Sequence, residues 1–372
     1  MKVAILETEH FEGAFPVIKL FDIPGNEITV YTSPETHKRF VDLFRNEASR
    51  YQWAILPARG KFRFFYSLYK KLKKHKPGIF YINTISDNHF LYAFVLRMLK
   101  LTRVIMTVHD INCLFQSRSS WNFRQAIIHQ GKRWLLNQVN EFNVVADTMM
   151  NYLQTKTRQK IHNIPGAVFE NRYTPQAIDG SLRIVVPGSL DKRRRDYDQV
   201  FELAGLANKA KLNLVIVLLG GYTGQYGKGV IARADAFKSG YCQILFYDTR
   251  VVDQDEFDRQ MDIAHFVFIP SAINTRICGD IPEVYGITKS SGNIFDVIKH
   301  AKPFIVPAAL TISPHLQTSC FKYESINDII AILISIIHSP AEYKNQEQPA
   351  LENARNYTIE KVRERNASLF ND

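Results

Sequence analysis

The apolar positions of the chain fall in short blocks, with stretches of helical period between them. In the first half the blocks are "KVAILE" (2–7), "EITVYT" (27–32), "WAILPA" (53–58), "GIFYIN" (78–83), "RVIMTVH" (103–109) and "EFNVVA" (141–146). Helical stretches such as "NHFLYAFVLRMLK" (88–100) lie between them. Short apolar strands alternating with helices predict a parallel α/β sheet. "IHNIPGAVF" (161–169) adds a short strand and a Pro-Gly break, and "TPQAIDG" (174–180) is polar and turn-rich, a linker pattern. A second series follows: "LRIVVPG" (182–188), "LNLVIVLLG" (212–220), "CQILFY" (242–247), "AHFVFIP" (264–270) and "KPFIVPA" (302–308).

Two doubly wound, Rossmann-like domains are therefore expected, at 1–178 and 179–350. Residues 351–372 form a C-terminal segment, with "ARNYTIEKVRERNASLF" (354–370) predicted as a helix that packs back on the first domain. Open parallel sheets bind ligands beyond the carboxyl ends of their strands. With two such sheets, the expected site is the cleft between them.

Composition narrows the partner. The chain has 372 residues, 46% hydrophobic and 22% charged, ordinary for two globular domains and against disorder. Its net charge of +11 points to an anion: nucleotide phosphates, a membrane surface or nucleic acid. No RNA-recognition or helix-turn-helix signature is present, so nucleic acid is not expected. The four cysteines are far apart and form no CxxC pair, so neither a disulfide framework nor a zinc site is expected and a reducing compartment fits. The longest apolar run, "IIAILISII" (329–337), falls short of the ~18–20 residues of a membrane span and reads as a core helix. The N-terminus reads as a first buried strand and not as a signal peptide, so the expected location is cytoplasmic.

Two familiar phosphate motifs are excluded. The first strand is followed by "ETEHFEGAF", which is not the GxGxxG of a dinucleotide site. "GGYTGQYGKG" (220–229) fails as a P-loop, because Tyr222 and Gly229 flank Lys228 where Gly and Ser or Thr are needed. It reads as a flexible surface loop. "PGSLDKRRRDYDQVFELAGLA" (187–207) says more. It sets Gly188, Ser189 and the cations Lys192, Arg193, Arg194 and Arg195 between a strand end and a helix, where Arg can grip phosphate oxygens bidentately. In "EVYGITKSSGNIFDVIKHAKPFIVP" (283–307), Lys289, Ser290, Ser291 and Gly292 open a helix, and these are the parts of an anion site.

Together these two stretches resemble the donor half of GT-B-fold glycosyltransferases allied to the large retaining family 4. Members carry an arginine or lysine after the first strand of the second domain, then a glutamate, a glycine-containing loop, a second acidic residue and a Gly-x-Pro. Glu283 and Gly286 match the first glutamate and its glycine, and Asp296 stands where the second would be, seven residues before Pro303. Asp in place of Glu, a longer loop, and Ala301 at the usual glycine are departures. "NTISDN" (83–88) and "TVHDIN" (107–112) are also similar to bacterial sugar transferases.

The resemblance implies a GT-B fold and transfer of a sugar from a UDP- or GDP-sugar. The acceptor would be a saccharide or lipid-linked saccharide in bacterial surface polysaccharide or glycolipid synthesis. It also implies a retaining outcome and a catalytic place for Glu283. Gly188, Ser189, Arg193, Arg195, Lys289, Ser290, Ser291 and Gly292 would hold the diphosphate, Asp296 the ribose, and "FYDTRVVDQDEF" (246–257) would pass the base. Fixed cations and amides can stabilise the leaving group without a metal. Neither half shows Asp-x-Asp at a strand end, so no metal and no cofactor beyond the nucleotide-sugar co-substrate are expected.

In the first half, His109 and Asp110 end a strand. His109 would contact the donor sugar or orient the attacking group, and Asp110 would serve as base or fix the imidazole tautomer. Both reach one cleft only if the chain turns there. His10 and Glu12 are candidates for acceptor contact or a base, with Gly13 permitting close approach. "KFRFFYSLYKKLKKHK" (61–76) places Phe62, Phe65, Tyr66, Tyr69 and Leu72 on one helical face and lysines on the rest, which suits an anionic membrane surface. Two alternatives stand beside the transferase: a nucleotide-sugar epimerase of similar architecture, and a non-catalytic nucleotide- or polyanion-binding module.

Overall fold

The computed structural model describes residues 1–101, 103–116, 123–277 and 280–370. The chain divides into two compact units, Met1–Ala167 together with the residues from Val362 on, and Val168–Lys361. The linker-like stretch 174–180 falls inside the second unit.

Unit 1 holds seven parallel strands in the order β3-β2-β1-β4-β5-β6-β7. They are β1 (Lys2–Leu6), β2 (Glu27–Thr32), β3 (Gln52–Ile55), β4 (Ile79–Ile82), β5 (Val104–Val108), β6 (Glu141–Val144) and β7 (Lys160–Asn163). Between them run α1 (Phe11–Phe21), α2 (Pro34–Phe44), α3 (Lys61–His75), α4 (His89–Leu99), α5 (Ile111–Phe115), α6 (Phe123–Leu136) and α7 (Met150–Gln154). The order reverses at β1, so right-handed crossovers put α1 and α2 on one face and α3, α4 and α6 on the other.

Unit 2 holds six parallel strands, β10-β9-β8-β11-β14-β15. These are β8 (Leu182–Pro187), β9 (Leu214–Leu219), β10 (Cys242–Phe246), β11 (Phe266–Phe268), β14 (Phe304–Pro307) and β15 (Cys320–Tyr323), with a small antiparallel ribbon of β12 (Asn274–Thr275) and β13 (Glu283–Val284). Its helices are α8 (Tyr197–Lys209), α9 (Gln225–Ala234), α10 (Gln254–Asp262), α11 (Gly292–His300), α12 (Ile326–His338) and α13 (Pro340–Arg355). Alternation along the strands explains why both faces are covered. Ile184, Val186, Ile216 and Leu218 point into one core with α8 and α12, while Val185, Val217 and Leu219 point into a second core with Val297 and Ile298 of α11.

The helix expected over 354–370 is broken. α13 ends at Arg355 and a separate α14 (Ile359–Arg365) follows. From Val362 the chain is tied to unit 1 by polar side chains. Arg363 donates to the carbonyls of Leu20, Lys19 and Asp22 at the C-terminal end of α1, where helix carbonyls run short of intrahelical donors. Asn366 pairs with the backbone of Asn163 on the edge strand β7, at 3.2 and 2.9 Å. Arg103, paired with Glu141, donates onward to the carbonyls of Leu369 and Ser368.

Among the described residues Cys242 and Cys320 are free, Cys242 buried and Cys320 partly so. Among the described residues no helix is long and apolar enough to cross a membrane.

Candidate functional site

In unit 2 the loops after β8, β9 and β10 are knitted together through backbone bonds. Gly188 N donates to Leu219 O, Leu190 N to Gly221 O and Tyr222 N to Thr249 O. Glycine is required where they meet. A Cβ on Gly220 would lie 2.1 Å from Gly188 O, and one on Gly221 would lie 2.2 Å from Arg250 O. Gly220 and Gly221 thus form a close-packed strand exit, the exposed turn 223–224 follows, and 225–229 already belong to α9, so only the middle of 220–229 is the surface loop that its turn residues suggest.

Arg195 is the centre of this strand end. It is buried, its Nη1 donates to Ser189 O at 3.0 Å and its Nη2 to Asn293 Oδ1 at 2.9 Å. Asn293, in the first turn of α11, donates in turn to Pro187 O at 2.7 Å. Gly188 has φ +89°, and a Cβ there would sit 2.3 Å from Arg195 Nη2, so only glycine leaves room for the guanidinium. The backbone of Arg195 is pinned as well: it bridges to Ser271, and Asp196 N donates to Pro270 O. Arg195 Nε is buried with no partner among the described residues. Ser291 precedes α11 as its N-cap but its hydroxyl makes no capping bond, although such helix ends carry unsatisfied amides. A buried cation and an uncapped helix start therefore share one point, and both favour an anion.

The other residues singled out in this half take different places. Arg193 folds back on Asp191, with its Nη2 at 2.9 Å from the carboxylate, and is exposed. Lys289 closes a tight turn: Gly286 N donates to Lys289 O, the amides of Ile287, Thr288 and Lys289 all reach Val284 O, and Lys289 Nζ lies 6.0 Å from the centre of the Tyr285 ring. Gly286 has φ +83°, and a Cβ would meet Thr311 O at 2.4 Å. Ser290 is half-buried, Gly292 is the first residue of α11, and Asp296 stands one turn along it, half-exposed. Glu283 is fully buried on β13, in register with Thr275 of β12.

At the strand ends of unit 1 the constellation is built around a carboxylate. Glu7 is fully buried just beyond β1. It accepts from the amides of Glu9 and His10, from Asn83 Nδ2 at 2.6 Å and from Thr84 Oγ1 at 2.8 Å. Beside it, His109 Nε2 donates to Asn83 O at 2.9 Å. That carbonyl partner fixes the tautomer, with Nδ1 left as the accepting nitrogen. Burial pushes the imidazole below its ordinary pKa, and His10, with ring centres 6.0 Å apart, pushes the same way.

β5 ends at Val108 and Asp110 is the N-cap residue of α5, so the chain does turn and strand alternation no longer separates His109 from Asp110. His10 is the N-cap residue of α1 and is exposed, as is Glu12 in its first turn. A methyl on Gly13 would make ordinary contact with Asn83 at 3.6 Å, so packing alone does not demand glycine there. Sequence reading missed Glu7 and Asn293. The signal for Glu7 was a carboxylate closing an apolar strand, and for Asn293 a small amide in the first turn of a helix. Among the described residues, no group of three or more His, Cys, Asp or Glu could hold a metal ion.

No protein-family model matches the chain, and no curated protein matches it. Solved structures do. Sucrose-phosphate synthase from Thermosynechococcus elongatus is 14% identical, with 100% of this chain and 98% of that one covered at a TM-score of 0.66. HepE from Anabaena, in complex with UDP, is 11% identical, with 100% and 99% covered at 0.65. The UDP-GlcNAc 2-epimerase of Neisseria meningitidis, bound to UDP-GlcNAc, is 13% identical, with 98% and 100% covered at 0.57. None of these likenesses places the chain in glycosyltransferase family 4. What they share with it is architecture: two parallel-sheet units of seven and six strands, the GT-B fold that the sequence motifs imply.

Proposed function

We propose that the chain is a glycosyltransferase that takes a sugar from a nucleoside-diphosphate sugar, with the diphosphate held in unit 2. The observation that carries this reading is Arg195, buried behind Gly188 and aimed with Asn293 at the uncapped start of α11. In transfer, an acceptor hydroxyl attacks the anomeric carbon and the bond from that carbon to the diphosphate oxygen breaks. Negative charge then grows on the phosphate, where a fixed guanidinium and helix amides stabilise it with no reorganisation. Lys289 adds a second cation to the same anion, and Asp296 accepts from the ribose. The hydroxyl proton leaves either to the departing phosphate, which would give retention, or to a side chain such as Asp110.

In this reading His109, neutral and oriented by Asn83, meets sugar hydroxyls, and Glu283 supports the sugar as it is cleaved. His10, Glu12 and Gly13 face the acceptor. We further propose that no metal is needed, and that the acceptor is a saccharide or lipid-linked saccharide of a bacterial surface polymer made at the inner face of the membrane.

A panel of UDP, GDP, ADP, CMP and dTDP in a thermal-shift assay without metal tests the site. A ligand at 100 times its dissociation constant adds about 2.7 kcal/mol, which such an assay resolves. One diphosphate should stand out, and its shift should survive a chelator. Silence across the panel would remove the diphosphate site. The epimerase is the second reading, favoured by the fold shared with UDP-GlcNAc 2-epimerases. Incubation with UDP-GlcNAc and no acceptor separates the two: a new sugar nucleotide in the NMR spectrum would establish epimerisation, whereas a transferase leaves the sugar nucleotide unchanged or slowly hydrolysed.

A further inference from the structure

The two faces of the unit 1 sheet differ in charge. The sequences of α1 and α2 balance three acidic residues with three basic ones, whereas those of α3, α4 and α6 contain ten Lys and Arg and no acidic residue. The same three helices carry large apolar side chains into solvent. On α4, Phe90, Phe94 and Met98 recur every fourth residue, which makes one stripe, and they are 49%, 50% and 53% exposed. On α3, Phe62 and Tyr66 are 81% and 62% exposed, and on α6 Ile127 is 48% exposed. α4 packs between the other two, Phe65 of α3 meeting Tyr92 edge-on and the Gly131 backbone of α6 lying against Phe90. The exposed groups therefore belong to one surface. This corrects the face expected for 61–76. Phe65, Leu68 and Leu72 turn into the core, while Phe62 and Tyr66 stand on the side of the lysines, with Lys70 Nζ 5.3 Å from the Tyr66 ring centre.

We infer that this three-helix face docks on an anionic lipid bilayer, its aromatic and aliphatic side chains entering the headgroup boundary and its lysines meeting acidic headgroups. A second copy of the chain does not suit it, because each face would bring the exposed lysines of its α3 against those of the other. Nucleic acid would use the cations but leave the Phe90, Phe94 and Met98 stripe in water. A bilayer interface uses both. The inference goes beyond the transferase reading and does not rest on it, since the test reads partitioning and not turnover.

The full chain is sedimented with vesicles of phosphatidylcholine alone and of phosphatidylcholine mixed with phosphatidylglycerol, at low and raised salt. It should bind the mixed vesicles, ignore the neutral ones, and weaken as salt rises. Replacing Lys70, Lys71, Lys73 and Lys74 by Gln should weaken binding by about a hundredfold or more, and the double change Phe62→Asp, Phe94→Asp by at least about tenfold. These positions are exposed, so circular dichroism and the melting temperature should stay unchanged. No binding to the mixed vesicles at low salt overturns the proposal. So does binding that the lysine variant loses and the double Asp variant keeps, which would be simple charge adsorption. A dimer in solution that the double Asp variant dissociates would assign the face to a second copy and overturn it equally.

Discussion

The two units have the same design at the carboxyl ends of their strands and opposite electrostatics there. Unit 1 owns its anion. Glu7 is buried, and two amides, an amide side chain and a hydroxyl already surround it. Unit 2 owns its cation. Arg195 is buried with only neutral partners, one of its N–H groups unspent, beside a helix start that no side chain caps. A strand end that has satisfied its own charge becomes rigid scaffolding, while one left with an unbalanced cation awaits a ligand. The parallel sheet supplies both positions, but the chemistry comes from the side chains placed on them.

The largest effect is expected where that imbalance is removed. Arg195→Ala should weaken binding of the preferred nucleoside diphosphate by at least about a hundredfold, some 3 kcal/mol, because a desolvated charge-assisted contact is lost. Arg193→Ala should change it by less than about threefold, since that guanidinium is exposed and already held by Asp191. Calorimetric titration of both variants decides. Equal losses would mean that Arg193 leaves Asp191 for the ligand and that the distinction drawn between the two arginines is mistaken.

The counterpart in unit 1 is a loss of stability and not of nucleotide affinity. Glu7→Gln turns one accepting oxygen into a donor that faces other donors, at a cost of about 2–3 kcal/mol. Denaturant melts should show the loss, and titration with the same diphosphate should give an unchanged dissociation constant. If nucleotide affinity fell with stability preserved, Glu7 would belong to the ligand and unit 1 would not be self-sufficient.

Acid sharpens the same point through a second carboxylate of unit 1. Burial alone would raise the pKa of Glu141, but hydrogen bonds from His162 and Arg103 outweigh it and hold the group at about 2. A carboxylate depressed in the fold contributes stability that is present above its ordinary pKa of 4.5 and disappears as pH falls from there towards 2. The contribution is of order 2 kcal/mol. Because Arg103 also grips the carbonyls of Ser368 and Leu369, proteolysis of the C-terminal segment should speed up over that window. Glu141→Gln should flatten the dependence. A flat profile in the unmodified chain would show that the pair contributes nothing.

Much of the scaffold was legible in the sequence because buried parallel strands are apolar on both faces. β2 occupies the full "EITVYT" block, and eleven further strands lie within the blocks read as strands or within a residue of them. β15 escaped because "CFKY" is four residues long with a lysine in it, and the ribbon of β12 and β13 because two residues carry no period. The site was half legible. The pattern "DKRRRDY" offers four adjacent cations, and only the fold shows that one turns inward behind Gly188 while another is taken by Asp191. On α3 the period was right and the face was wrong, since Phe62 and Tyr66 fit the same helix whether turned in or out.

One departure from the pattern that the sequence resembles has a physical cause of its own. Ala301 stands where a glycine is usual, and in the structure it is the C-cap of α11 in the left-handed region, φ 50° and ψ 49°. A non-glycine residue there costs about 1–2 kcal/mol of backbone strain. Ala301→Gly removes that strain but frees the unfolded chain, by about 0.4–1 kcal/mol, and gives up the contact of the methyl with Phe169 and Ala354. The net expectation is a gain of about 0.5 kcal/mol, one to two degrees in Tm for a unit of this size. It should leave diphosphate affinity unchanged, because the cap lies at the opposite end of α11 from Ser291 and Asn293. A lower Tm would mean that the methyl contact outweighs the strain. A change in affinity would mean instead that the pitch of α11, set at its C-terminal end, is felt by the anion site at its start.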